Sequence, residues 1–192
     1  HMVFIADFDQ NGTPEQIACT KREDGHYPIQ AIDELYMQMP VLKKKYRRYE
    51  AFSKAPLEAL IPEERLAEAR QLHLRERRSV VLWNDNGELR LQPLPAEAQY
   101  SSLHAIMVKD IDEDGTPDLL LGGNDYRVKP QFGRQDASKG CLCKGRRAGE
   151  VIVYEECRML SLSGQVRSFL GINENQIIIG LNDDKIQWYE LD

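Results

Sequence analysis

Residues Met107-Val108-Lys109-Asp110-Ile111-Asp112-Glu113-Asp114-Gly115-Thr116-Pro117-Asp118-Leu119-Leu120 decide how the chain is read. An apolar run leads into D-x-D-x-D-G-T-P-D, and a second apolar run leaves it. The same order stands near the start, in Phe4-Ile5-Ala6-Asp7-Phe8-Asp9-Gln10-Asn11-Gly12-Thr13-Pro14-Glu15-Gln16-Ile17. Two copies of one motif make this a repeat protein. Short β-type runs on both sides of a Gly turn predict a hairpin in each copy, with the acids at its tip.

The acids point to calcium. A hard cation takes six to eight oxygens, and alternate residues of a tight loop turn theirs inward. In the second loop Asp110, Asp112, Asp114 and Asp118 would supply carboxylates and Thr116 its backbone carbonyl, with Gly115 at the bend. In the first loop the same roles fall to Asp7, Asp9, Asn11, Glu15 and the Thr13 carbonyl, with Gly12 at the bend. The alternative is a metal-free Asx-rich turn, but carboxylates packed together repel unless a cation sits between them. Asn11 replaces an acid in the first loop, so charge alone predicts that the second loop fills first. An EF-hand also begins D-x-D-x-D-G, but it needs a bidentate acid at loop position 12 and flanking helices. Position 12 is Ala18 in one copy and Leu121 in the other, and the flanks read as strands.

A nine-residue loop closing at Glu15 or Asp118 resembles the FG-GAP/VCBS repeat of integrin-type β-propellers. Leu119-Leu120-Leu121-Gly122-Gly123-Asn124-Asp125 also resembles that family. Asp33-Glu34-Leu35 through Pro40-Val41-Leu42-Lys43-Lys44-Lys45-Tyr46, and Gly133-Arg134-Gln135-Asp136-Ala137-Ser138-Lys139-Gly140, resemble large bacterial secreted propeller proteins of the cartilage-acidic-protein-like type. The resemblance covers most of residues 3–189 and implies propeller blades, two Ca2+ sites and an extracytoplasmic location: secreted, periplasmic or on the cell surface. It lapses at Lys144-Gly145-Arg146-Arg147-Ala148-Gly149, where the family has a Gly-Asp-Gly turn. In a third repeat, Val166 to Leu181, Gly171-Ile172-Asn173-Glu174-Asn175 stands where a metal loop belongs, so that blade is expected to bind no calcium.

A second echo pairs Ser79 to Leu91 with Gln176 to Trp188. Each is a strand, an Asn-Asp turn and an alternating strand; Asn86 and Gly87 tolerate the positive φ of a tight hairpin. The first strand of each pair is continuously apolar, as for a strand covered on both faces. From about Ala31 to Arg78 the pattern turns helical, with Leu57, Leu60 and Ile61, then Leu66, Ala69 and Leu72, at helical spacing. Pro40, Pro56 and Pro62 divide it into three or four short helices. This stretch carries +3 against −9 for the remainder, and reads as an insertion of residues 31–78 within the first blade. His1-Met2 reads as a cloning remnant before a single propeller-type domain or fragment of residues 3–192.

The chain has 192 residues, 42% hydrophobic and 29% charged, with a formal net charge of −6. That is enough for a buried core. An acidic chain is a poor partner for nucleic acid, and no apolar run approaches the ~18 residues of a membrane span. Cys19, Cys141, Cys143 and Cys157 are too few for a disulfide scaffold. They read first as small buried residues, with one disulfide, Cys143 to Cys157, or zinc as alternatives. Lys43-Lys44-Lys45, Arg47 and Arg48, with Tyr46 and Tyr49 between, read as a solvated helix face whose tyrosines pack inward, rather than a grip on an anionic polymer. Arg75, Arg77 and Arg78 read as a helix C-terminus stabilised by cations. Asp125, Tyr126, Arg127, Asp136 and Lys139 fall in a long polar loop, a candidate binding surface. No G-x-S-x-G, H-E-x-x-H or phosphate-cradling Gly loop is present.

The sequence therefore predicts a mainly β chain of about three propeller blades, a partial propeller with a helical insertion. Its expected role is a non-catalytic, calcium-stabilised module for adhesion, ligand or protein binding, or scaffolding. The alternative is an accessory carbohydrate-binding or catalytic part of a polysaccharide-processing enzyme. Three blades do not make a ring, so either two copies associate or a longer propeller supplies the rest. The ending at Trp188-Tyr189-Glu190-Leu191-Asp192 reads as a natural terminus, placing any continuation upstream of Val3.

Overall fold

A computed structural model describes residues 1–191. The chain is mainly β, 41% strand and 17% helix, in several antiparallel sheets, none closed on itself. It divides into two compact units, His1–Arg77 and Arg78–Asp192, where the sequence suggested one domain.

In the first unit β1 (Met2–Ala6), β2 (Glu15–Arg22) and β3 (Gly25–Pro28) form an antiparallel meander. The first acidic loop is the β1–β2 connection. Five short helices follow: α1 (Ile32–Gln38), α2 (Leu42–Lys45), α3 (Tyr49–Ser53), α4 (Leu57–Leu60) and α5 (Glu63–Glu68). Pro56 and Pro62 stand directly before α4 and α5, where a missing N–H costs nothing. The helical stretch is shorter than 31–78. Residues Arg70–His73 form β4, which pairs with β1 and closes the sheet order β3-β2-β1-β4. Leu72 therefore lies on a strand, and Arg75 and Arg77 follow that strand rather than ending a helix. The helices have no core of their own. Leu35, Leu42, Phe52, Leu57 and Leu60 bury their side chains in one cluster with Phe4, Ile17 and Cys19 of the sheet. Met2, read as a remnant, opens β1 opposite Cys19 and joins that cluster. Tyr46 packs inward as expected, but Tyr49 is exposed and its hydroxyl donates to Asp33.

The second unit begins with a hairpin, β5 (Val80–Asp85) and β6 (Glu88–Pro93). Asn86 and Gly87 at its tip both have positive φ, as their residue types suggested. Leu82 is 55% exposed, so β5 is not covered on both faces. The strand that is covered is β8 (Asp118–Gly123), every residue of which is buried. It lies inside the sheet β12-β9-β8-β7, beside β7 (Leu103–Lys109) and β9 (Cys141–Cys143), with β12 (Cys157–Met159) at the edge. Alternate side chains of a strand point to opposite faces. Leu120 accordingly joins Leu142, Val166, Ile177 and Ile179. Leu119 and Leu121 join Leu94, Cys141, Cys143 and Tyr154 on the other face. Between β9 and β12 the chain makes the hairpin β10 (Arg146–Ala148) and β11 (Val151–Val153), at the site where the resemblance lapses. A final meander, β13 (Gln165–Gly171), β14 (Gln176–Asn182) and β15 (Gln187–Glu190), covers the Leu120 face.

Cys143 and Cys157 stand opposite each other in the β9–β12 register and form a disulfide; Cys19 and Cys141 are free and buried. Burial pushes the Cys141 thiol up to about 11 and the Cys19 thiol up to about 12, so both stay protonated at neutral pH. The bridge spans a sequence separation of 14. A loop of that size contributes about 3 kcal/mol through the entropy it removes from the unfolded chain. The C143A/C157A double variant should lose about that much in urea unfolding, and a reductant should lower the wild-type midpoint but not the variant's.

Candidate metal loops

The two acidic loops are built alike, bond for bond. In the first, Asp7 accepts hydrogen bonds from the backbone N–H groups of Asn11, at 2.9 Å, and Gly12, at 2.8 Å. In the second, Asp110 accepts from Asp114, at 3.1 Å, and Gly115, at 2.8 Å. Asn11 Oδ1 accepts from Thr13 N–H and Asp114 Oδ1 from Thr116 N–H. The closing acid repeats the pattern: Glu15 accepts from Phe8 N–H at 2.7 Å, and Asp118 from Ile111 N–H at 3.0 Å. Gln10 and Glu113, and Gly12 and Gly115, take positive φ at matching positions. Both loops join neighbouring antiparallel strands, β1 to β2 and β7 to β8.

The structure brings most of the predicted ligands together. Oxygens of Asp7, Asp9 and Glu15 lie within 4.8 Å of one another, as do those of Asp110, Asp112 and Asp114. Asp118 is not in the second group. Its Oδ2 takes Ile111 N–H and its Oδ1 takes Gly145 N–H at 2.8 Å, so both oxygens serve the backbone. Glu15, one methylene longer, reaches into the first group while still holding Phe8 N–H. Thr116 is buried and Thr13 exposed.

The two loops differ most in their charge balance. Asp9 Oδ1 is buried and meets no hydrogen-bond donor among the described residues. Burial is the largest influence on the Glu15 carboxyl and raises it; the charges of Asp9 and Asp7 raise it further, against the Phe8 N–H that favours ionisation. In the second loop the Asp112 carboxylate meets Lys144 Nζ at 2.7 Å. That hydrogen bond holds Asp112 below the usual carboxylate range, and raises Lys144.

Lys144 and Gly145 lie outside the acidic motif itself. The only sequence signal was the lapse of the family pattern at that point, 26 residues beyond Asp118. Gly145 is required there: a Cβ would lie 2.2 Å from the Pro117 carbonyl oxygen. Tyr154 also donates to that oxygen, at 3.0 Å. The third loop carries no acid group of this kind. Asn173 Oδ1 takes the N–H groups of Asn175 and Gln176, and Lys109 Nζ donates to the Asn173 and Glu174 carbonyls. In the polar loop, Asp125 bridges to Gln135, Arg127 pairs with Asp183 at 2.6 Å, and the Arg134 guanidinium lies 3.5 Å above the Tyr126 ring. Lys45 donates to the Ala59 carbonyl at 2.6 Å.

The raised Glu15 carboxyl has a definite pH signature without metal. The folded chain holds this proton to higher pH than the unfolded chain does, so stability falls as pH rises from about 4.5, the ordinary glutamate value, through the folded value. In EDTA, urea midpoints should decline over that interval for the wild type, and Glu15→Gln should flatten the decline.

Comparison with protein-family models, with curated proteins and with solved structures finds no match to this chain.

Proposed function

We propose that the chain is a non-catalytic, calcium-stabilised segment of a β-propeller that works outside the cytoplasm as a binding or scaffolding module. The buried Asp9 Oδ1, without a donor and grouped with Asp7 and Glu15, carries this reading. An unpaired buried carboxylate oxygen among like charges is costly, and a calcium ion supplies what it lacks. Three meanders in series, two of them with matching acidic loops at the first turn, are the blade pattern the sequence resembles. The Cys143–Cys157 disulfide suits an oxidising compartment. Among the described residues no helix is long and apolar enough to cross a membrane.

The apolar surface supports association with a second copy or with the remainder of a longer propeller. Ile106 and Val108 are exposed on β7, an edge strand, as are Leu89 on β6 and Trp188 on β15. Open apolar edges of this kind invite association. The carbohydrate alternative also has one observation behind it: a 280 Å³ cavity lined by Trp83, Asn84, Asp85, Arg90 and Glu150, the mixture of aromatic face and polar groups that sugars use. Retention of a fluorescent glycan by an array, lost in Trp83→Ala, would favour it.

Calcium should stabilise this fold without switching it, because each loop joins two strands rather than two movable helices. With Kd on the order of 10⁻⁴ M, millimolar calcium adds about 1–2 kcal/mol per site. The melting temperature should rise with calcium and return with EDTA, at constant far-UV circular dichroism. Asp9→Asn should abolish most of the rise while leaving the EDTA-treated chain as stable as the wild type or more so. A melting temperature indifferent to calcium would exclude the reading. Light scattering should give a mass above the 22.1 kDa of one chain.

A further inference from the structure

We infer that Lys144 is the resident cation of the second loop, so that the chain holds one divalent ion, in the first loop, rather than two. This rests on the calcium reading of the loops and reverses the order of filling that counting carboxylates predicts. Asp9 and Asp112 occupy the same position of the repeat. Asp9 has an oxygen with no donor; Asp112 has the Lys144 ammonium at 2.7 Å. Lys45 and Asp9 both line one cavity, but the Lys45 ammonium donates to the Ala59 carbonyl.

Lys144 is not a chance surface neighbour. It follows Cys143, whose disulfide to Cys157 fixes the chain on one side. Its own N–H donates to the Glu156 carbonyl at 3.2 Å. The next residue, Gly145, is bound through its N–H to Asp118 and fits against Pro117 only because it lacks a Cβ. The backbone at 144–145 is therefore docked on the acidic loop, and a flexible stem carries the ammonium the short remaining way. The same docking occupies the second Asp118 oxygen, which a calcium ion would otherwise draw on. A calcium ion coordinated by Asp112 would sit within bonding range of that carboxylate, ~2.3–2.6 Å, and would have to drive out a like charge. The ammonium is tethered, so its local concentration far exceeds that of any ion in solution.

Calcium binding to the full chain should be measured by calorimetry, with terbium luminescence as a second probe, for the wild type, Lys144→Met and Lys144→Arg. The wild type should bind one calcium per chain, lost in Asp9→Asn and retained in Asp112→Asn. Lys144→Met should gain a second site at least ~10-fold tighter than any second site of the wild type, and adding Asp112→Asn should remove it. Lys144→Arg keeps the charge and should bind like the wild type, which separates charge from a structural role. In EDTA, Lys144→Met should melt below the wild type and Lys144→Arg near it. Two equal sites in the wild type, or no gain in Lys144→Met, would overturn the inference. If no variant binds calcium, the calcium reading itself fails. The melts in EDTA then decide on Lys144 alone: a Lys144→Met chain as stable as the wild type overturns its role as counter-ion.

Discussion

A strand that turns back within nine residues leaves several backbone N–H groups without partners, and here the carboxylates of the turn accept them. Asp7 and Asp110 each take two such groups, and Glu15 and Asp118 each take one more across the loop. A backbone donor left unpaired away from water is costly, and that holds for the buried Phe8 and half-buried Ile111 N–H groups. With the exposed bonds to Asp7 and Asp110 they hold both hairpin tips in one shape. The strand registers of β1 with β2 and of β7 with β8 start from those tips. A one-residue slip would turn every core side chain of β2 or β8 to the wrong face.

That solution creates its own electrostatic cost. Acids drawn inward to satisfy the backbone are drawn toward one another as well. The two loops answer it differently because their surroundings differ. In the second loop a distant segment lays Lys144 against Asp112 and Gly145 against Asp118. In the first loop Glu15 is long enough to stay with Asp7 and Asp9, and one oxygen is left bare. Near-identical local sequence has produced near-identical backbone geometry and two different charge environments.

The two units also reach stability by different routes. The first buries a sheet face under five helices that are each too short to persist alone, so sheet and helices depend on one another. The second places β8 between two apolar layers and ties β9 to β12 covalently. The disulfide therefore has a consequence beyond stability: it fixes the point from which the 144–145 segment reaches the acidic loop.

The sequence alone determined the acidic hairpins, the tight Asn-Gly turn and the proline-divided helices. These follow from residue types acting over a few positions: glycine and asparagine at positive φ, proline without its N–H, and carboxylates at alternate positions of a turn. It also located residues Asp7, Asp9, Asn11, Glu15, Asp110, Asp112, Asp114 and Asp118 on two equivalent loops. Long-range pairing was out of its reach. That Arg70–His73 adds to β1 and that β8 rather than β5 is covered on both faces depend on segments far apart in the chain. So does the placement of Lys144, whereas the Cys143–Cys157 bridge, 14 residues across, stood among the sequence's own alternatives. A local pattern reports the geometry a loop prefers, but the charges that surround it are set only when the rest of the chain has packed against it.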